Sequence, residues 1–144
     1  MSLHFDHITL VVRDLEAAKR FFGLLGFRED RSAVIAGPQF DAYMGVDGIE
    51  AEHVTLVLDN VSPRTEVQFL KYRHPDPLPD EEARNLARVG FNHVCFTVDD
   101  LEAEVARLKA AGVQLRNEVM VFQDRKLVFL AGPEGVTVEL AEWL

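Results

Sequence analysis

Two histidines, His7 and His93, stand in stretches that nearly repeat each other: FDHITLVVRDLEA from Phe5 and FNHVCFTVDDLEA from Phe91. Aligned, the stretches share seven of thirteen residues at an offset of 86. Gln68 follows His7 by 61 residues and Glu139 follows His93 by 46, each inside an alternating run, VQFL and TVEL. Two imidazoles, an amide oxygen and a carboxylate are suitable donors for a divalent cation that accepts mixed nitrogen and oxygen ligands. With the histidines and the glutamine neutral, Glu139 alone offsets the ion, leaving about one positive charge by formal counting. Such a charge suits a developing enolate.

For these side chains to meet, the elements around them must aim them the same way. From Phe5 to Val12 the sequence alternates, with Ile8, Leu10 and Val12 on one face of a strand and His7 on the other. Asp14 then caps a helix whose stripe is Leu15, Ala18, Phe22 and Leu25, and Gly26 stops it. The second copy reads alike: a strand from Phe91 to Val98, a cap at Asp99 or Asp100, a stripe of Leu101, Val105 and Leu108, and Gly112 at the end. Three β-rich stretches follow in each copy. In the first the clearest are Glu52 to Leu58 and Thr65 to Tyr72; in the second they are Val113 to Phe122, Lys126 to Leu130 and Val136 to Ala141, with GPEG (Gly132 to Gly135) as a tight turn. The pattern predicts an α+β fold of two tandem βαβββ modules, residues 1–72 and 91–144, joined by a proline-rich acidic linker over 73–90. A four-stranded sheet with one helix leaves its other face bare, so the two sheets are expected to share a central cavity. If Val67, Phe69, Val138 and Leu140 take the helix side, then Gln68 and Glu139 face that cavity with the two histidines.

Composition narrows the function. Fifteen basic against twenty-four acidic residues give a formal charge of -9, which disfavours nucleic acid and anionic membrane surfaces. No apolar run approaches the roughly 18 residues of a membrane span, and no signal peptide is visible. The single cysteine, Cys95, needs no oxidising compartment. A cytoplasmic protein with a small-molecule substrate is expected. The open sheet edges of this architecture also predict a homodimer, with the modules paired within or across chains.

These features resemble the vicinal oxygen chelate superfamily, which includes glyoxalase I, methylmalonyl-CoA epimerase, extradiol dioxygenases, fosfomycin-resistance enzymes and bleomycin-binding proteins. The resemblance covers essentially the whole chain and rests on the paired FxH and DLEA openings and the terminal GPEGVTVEL. It implies a half-barrel of the glyoxalase type, with His7, Gln68, His93 and Glu139 on the four ligand positions of one divalent ion. Zinc, cobalt, nickel, manganese and iron are equally compatible. The His, Gln, His, Glu order is similar to that of the epimerase branch, whereas many glyoxalase I enzymes carry Glu in place of Gln68. The implied chemistry is that of a lyase or isomerase: the ion, as a Lewis acid, chelates two adjacent substrate oxygens and stabilises an enolate, while a positioned base removes a proton. Two other readings stay open, a non-catalytic antibiotic-type binding protein and an Fe(II) dioxygenase using His7, His93 and Glu139.

Glu52 is the base that the epimerase resemblance implies. Strand phase disagrees, because with Val54, Leu56 and Leu58 towards the helix it is His53 that faces the cavity; Glu50 and Glu66 are further options. The segment GPQFDAYMGV (Gly37 to Val46) breaks the repeat, and Phe40, Tyr43 and Met44 within it are expected to contact substrate or to pack in a loop or dimer contact. Cys95 has no basic neighbour in sequence and reads as a small packed residue.

Overall fold

The computed structural model describes Met1–Leu144 and divides into two compact units, Met1–Pro79 and Asp80–Leu144. The boundary falls inside the acidic, proline-rich stretch.

The first unit runs β1 (His7–Val11), α1 (Leu15–Leu24), β2 (Phe27–Ala36), α2 (Pro38–Met44), β3 (Glu50–Leu58) and β4 (Glu66–His74). Its sheet has the order β1-β4-β3-β2, with β1 and β4 parallel and the other pairs antiparallel. The Asp14 side chain accepts the Ala17 N–H at 3.0 Å to start α1, and Gly26, at φ +104, carries the chain out of it. Leu15, Ala18 and Phe22 are the buried stripe of α1. The Phe22 ring lies 5.7 Å from Phe27 and 5.6 Å from Phe69, centroid to centroid, and Val54, Leu56 and Val67 complete this side of the core.

The second unit runs β5 (His93–Thr97), α3 (Leu101–Ala110), β6 (Met120–Phe122), β7 (Arg125–Ala131) and β8 (Thr137–Trp143), with sheet order β5-β8-β7-β6 and β5 parallel to β8. Asp100 is the cap, taking the Ala103 N–H at 3.1 Å, while Glu142 on β8 accepts the Leu101 N–H at 2.8 Å and ties helix to sheet. Leu101 and Leu108 on α3 and Val128, Leu130, Val138 and Leu140 on the strands are fully buried. Two mixed four-stranded sheets with helices, an α+β fold, are thus what the repeat encodes.

Two sequence expectations need correction. Val113 to Phe122 is not one strand: only Met120–Phe122 belongs to the sheet, with a single bridge at Leu115–Leu130. The Asn117 side-chain oxygen accepts the Phe129 N–H at 2.8 Å, replacing a ladder bond, and the pairing register has shifted by the time Met120 meets Leu127. The repeat-breaking segment after Gly37, for which a packed loop is one expectation, contains α2. There Pro38 opens the helix, Gly45 closes it in the left-handed region, and the Asp41 carboxylate accepts the N–H groups of Gly48 and Ile49 at 3.0 and 2.8 Å.

Truncation of the first core should show how much it depends on one ring. Phe22→Ala, a fully buried position, is expected to lower the unfolding free energy by about 3–5 kcal/mol, against about 1 kcal/mol for loss of the cap in Asp14→Ala. Urea titrations of both variants check the ranking.

Candidate metal centre

Strand register sets which side chains share a face. In the first unit His7 pairs with Glu66 and Thr9 with Gln68; in the second His93 pairs with Thr137 and Cys95 with Glu139. Gln68 and Glu139 therefore occupy the same register position of their units, two residues beyond the residue opposite the histidine. Val67, Phe69, Val138 and Leu140 fill the cores, so Glu66 and Gln68, and likewise Thr137 and Glu139, point away from them.

Both histidines are held through Nδ1 by the residue just before them. His7 Nδ1 lies against the Asp6 carboxylate, and His93 Nδ1 is 2.7 Å from the Asn92 amide oxygen. The Asn92 NH2 group donates to the Leu86 carbonyl, which turns its oxygen towards His93 and requires the proton to sit on Nδ1 of that ring. Each histidine thus keeps its Nε2 lone pair as a ligand atom, with the Nδ1 partner fixing tautomer and ring orientation. Sequence reasoning passed over Asp6 and Asn92, although the repeat carries the signal: the residue between Phe and His is a hydrogen-bond acceptor in both copies.

In the second unit His93 Nε2 lies 3.8 Å from Glu139 Oε2. One ion about 2.1 Å from each atom requires a separation no greater than about 4.2 Å, so this pair fits a shared cation as it stands. Glu139 is 8% exposed and no nitrogen or hydroxyl donates to it; the weak donor beside it, the Cys95 thiol, is also 3.8 Å from the Phe96 carbonyl. A buried carboxylate so sparsely partnered is costly without a cation. Cys95 is exposed rather than packed, but partial desolvation first, then the hydrogen bond and negative charge of Glu139, push its thiol up to about 12, so the group is a neutral thiol at physiological pH.

In the first unit Gln68 is clamped from both sides. Arg64 donates to Glu66 at 2.6 Å, and its hydrogen bond holds the Glu66 carboxyl below the usual range. An ionised Glu66 only accepts, so the group it meets at 3.0 Å is the Gln68 NH2. The Gln68 oxygen then faces His53 Nε2 at 2.9 Å, which must carry that ring's proton, leaving the lone pair on His53 Nδ1. An amide oxygen has a second lone pair, so Gln68 can accept from His53 and still offer an atom to a cation. Asp6, His7 and Glu66 also bring one ligand atom each to within 4.8 Å of one another.

A cleft of about 420 Å³ adjoins this clamp, lined by His7, His53 and Gln68 together with Phe40, Tyr43 and Met44. The repeat-breaking segment is therefore a wall of the cleft, set there by α2. Glu52 is not brought to it: it belongs to the alternate set of β3 side chains with Val54 and Leu56, and is paired at 2.9 Å with Arg73, whose hydrogen bond lowers its pKa. Strand phase separates Glu52 from His7 and Gln68 and places His53 with them.

The sequence profile of the glyoxalase/bleomycin resistance protein/dioxygenase superfamily matches residues 4–140. Among solved structures, a glyoxalase family protein from Bacillus cereus is similar with a TM-score of 0.87 and 26% identity, covering 100% of this chain and 96% of that one. An ethylmalonyl-CoA/methylmalonyl-CoA epimerase from Cereibacter sphaeroides is 29% identical over 114 residues, 76% of this chain and 72% of the relative. The fosfomycin resistance protein FosX from Listeria monocytogenes, solved with Mn(II) and sulfate, shares the fold with a TM-score of 0.63 at 15% identity, covering 100% and 95% of the two chains.

Two measurements on metal-free protein test these assignments. Long-range nitrogen–proton NMR correlations near pH 8 should find the imidazole proton on Nε2 of His53 and on Nδ1 of His7 and His93; in Glu66→Gln, where the new amide can also donate, His53 should become a tautomer mixture. A mixture already present in the parent would refute the clamp. Alkylation of Cys95 by iodoacetamide at pH 8 should be about a thousandfold slower than that of an ordinary cysteine and still rise with pH above 9. A plateau near pH 9 would contradict the burial and Glu139 effects.

Proposed function

We propose, from the premise that this chain belongs to the glyoxalase/bleomycin resistance protein/dioxygenase superfamily, that it is a metal-dependent enzyme of the lyase or isomerase type acting on a small carbonyl compound with two adjacent oxygens. The observation that carries the reading is the matched register: in each unit a histidine with a free Nε2 and, two residues beyond its strand partner, a side-chain oxygen, Gln68 or Glu139, share the face away from the core. In this proposal His7, Gln68, His93 and Glu139 hold one divalent ion in a cytoplasmic homodimer. The epimerase relative and the Mn(II) of FosX support it.

When bound, the ion supplies Lewis acidity to the adjacent substrate oxygens, which acidifies the neighbouring C–H. The chain's own residues do the rest. Gln68 is oriented by Glu66 and His53, so its oxygen is positioned before any ligand arrives. His53, proposed in place of Glu52 as the base, takes the substrate proton on Nδ1 while its Nε2–H continues to donate to Gln68; it then returns the proton from its own side of the enolate, to the original carbon or to the neighbouring one. Phe40 and Met44 supply apolar walls that hold the substrate and limit water.

Metal analysis of protein purified without chelators, followed by solvent-deuterium exchange into 2-oxo, 2-hydroxy and methylmalonyl-type acids, tests the reading. Glu139→Gln removes the one formal anion and should weaken metal binding by more than the roughly 10–100-fold that loss of an outer partner costs. Gln68→Glu adds an anion and should retain metal while exchange slows, because a less positive site stabilises an enolate less. If Glu139→Gln binds metal as tightly as the parent, the chelate mechanism fails and the antibiotic-type binding protein takes its place. Iron with oxygen-dependent ring cleavage would instead identify a dioxygenase.

A further inference from the structure

In a chain with nine more acidic than basic residues, cations usually sit beside carboxylates, as Arg64, Arg73 and Arg88 do at 2.7, 2.9 and 2.9 Å. Two arginines of the second unit depart from this. Arg116 donates from Nη1 to the Thr137 hydroxyl and from Nη2 to the backbone carbonyl of Arg84, both neutral acceptors. Arg116 is exposed and has no carboxylate in salt-bridge contact, its position is held by two bonds, and three of its five N–H groups are not used by them. The Arg84 side chain, also without a carboxylate partner, lines the same cavity of about 180 Å³ with Gln114, Leu115, Ala131 and Gly135. That volume equals about six waters, room for a single small acidic group.

The GPEG turn seats Arg84. Gly132 N–H bonds the Val136 carbonyl at 2.8 Å, and a Cβ on Gly132 would come 2.7 Å from that oxygen. Gly135, at φ +80, lies under the Arg84 stem, and a Cβ there would meet Arg84 Cγ at 3.3 Å. The turn thus keeps Arg84 close to the end of β8, where Arg116 is anchored.

We propose that Arg84 and Arg116 form a binding site for an oxyanion, a carboxylate or a phosphate, and that it takes the acidic end of the substrate. Thr137, which Arg116 grips, is the strand partner of His93 and lies two residues, about 7 Å, before Glu139 on the same face of β8. A small acid could then place its adjacent oxygens at His93 and Glu139 and its anionic group at the arginines. This second step rests on the function proposed above; the anion site itself does not.

The test is calorimetric titration of the metal-free full chain with inorganic phosphate and separately with malonate, at constant ionic strength in chloride. Saturable binding of at least one is expected, and whichever binds tighter names the group. Arg84→Ala keeps the backbone carbonyl that Arg116 uses, so it should fold and lose about tenfold or more in affinity. Arg116→Lys, keeping the charge without the fork, should lose less, and Arg20→Ala, on α1 of the other unit, should change nothing. The proposal is overturned if the parent binds neither anion above chloride, or if Arg84→Ala binds as the parent does. It is equally overturned if binding appears only with added Mn(II) and vanishes in Glu139→Gln, since the anion is then on the ion. A Glu139→Gln protein that binds metal as tightly as the parent and still binds phosphate normally keeps the anion site and removes only its role as substrate tail.

Discussion

The parallel pairing of the first and last strands of each unit is the constraint on which the rest depends. In a parallel pair the register is fixed along the whole ladder, and side chains alternate strictly across the sheet. Once Phe69 and Val67 are drawn into the core under α1, Gln68 and Glu66 must face the other way, and the same logic applied to Leu140 and Val138 turns Glu139 and Thr137 to the opposite face of their sheet. A slip of one residue would bury the donors and expose the core, so the hydrophobic energy of each unit also maintains its site geometry.

Within that shared plan the two units differ in how they treat equivalent positions. The residue opposite the histidine receives an arginine in both, but it is Glu66 in one and Thr137 in the other, so the first arginine is neutralised and the second is not. Beside the second donor the first unit offers an imidazole, His53, bonded to Gln68; the second offers a phenyl ring, Phe129, paired with Glu139 and 5.0 Å from His93, and a thiol at Cys95. Polar, proton-handling groups thus gather in one half and the isolated carboxylate in the other.

Much of this was legible in the sequence for a physical reason: alternation and helical spacing are local, and the repeat supplied two independent readings of each. The caps at Asp14 and Asp100, the strand faces of His7, Gln68, His93 and Glu139, and the phase of His53 all follow from that. What was not legible depends on side-chain bonds. Nothing in an alternating pattern reveals that Asn117 will take a ladder position at Phe129, that Arg73 will claim Glu52, or that Arg64, Glu66, Gln68 and His53 will form one chain of donors and acceptors. Asp6 and Asn92 are the exception, visible in the repeat but interpretable only once the neighbouring ring nitrogens are seen.

The segment that carries α2 has one more consequence. It leaves the sheet after Ala36 and returns at Glu50, and these two residues are strand partners. Its ends are thus as close as those of a hairpin, and it is tied down by its own Asp41, by His74 against the Gly48 carbonyl and by the buried Ile49 at its return. Closing a longer or shorter loop between such ends changes the free energy only slowly with length. One wall of the cleft is therefore a replaceable cassette: descendants of this chain can acquire a different pocket by exchanging residues 37–49 while the strands, and every donor they aim, stay in place.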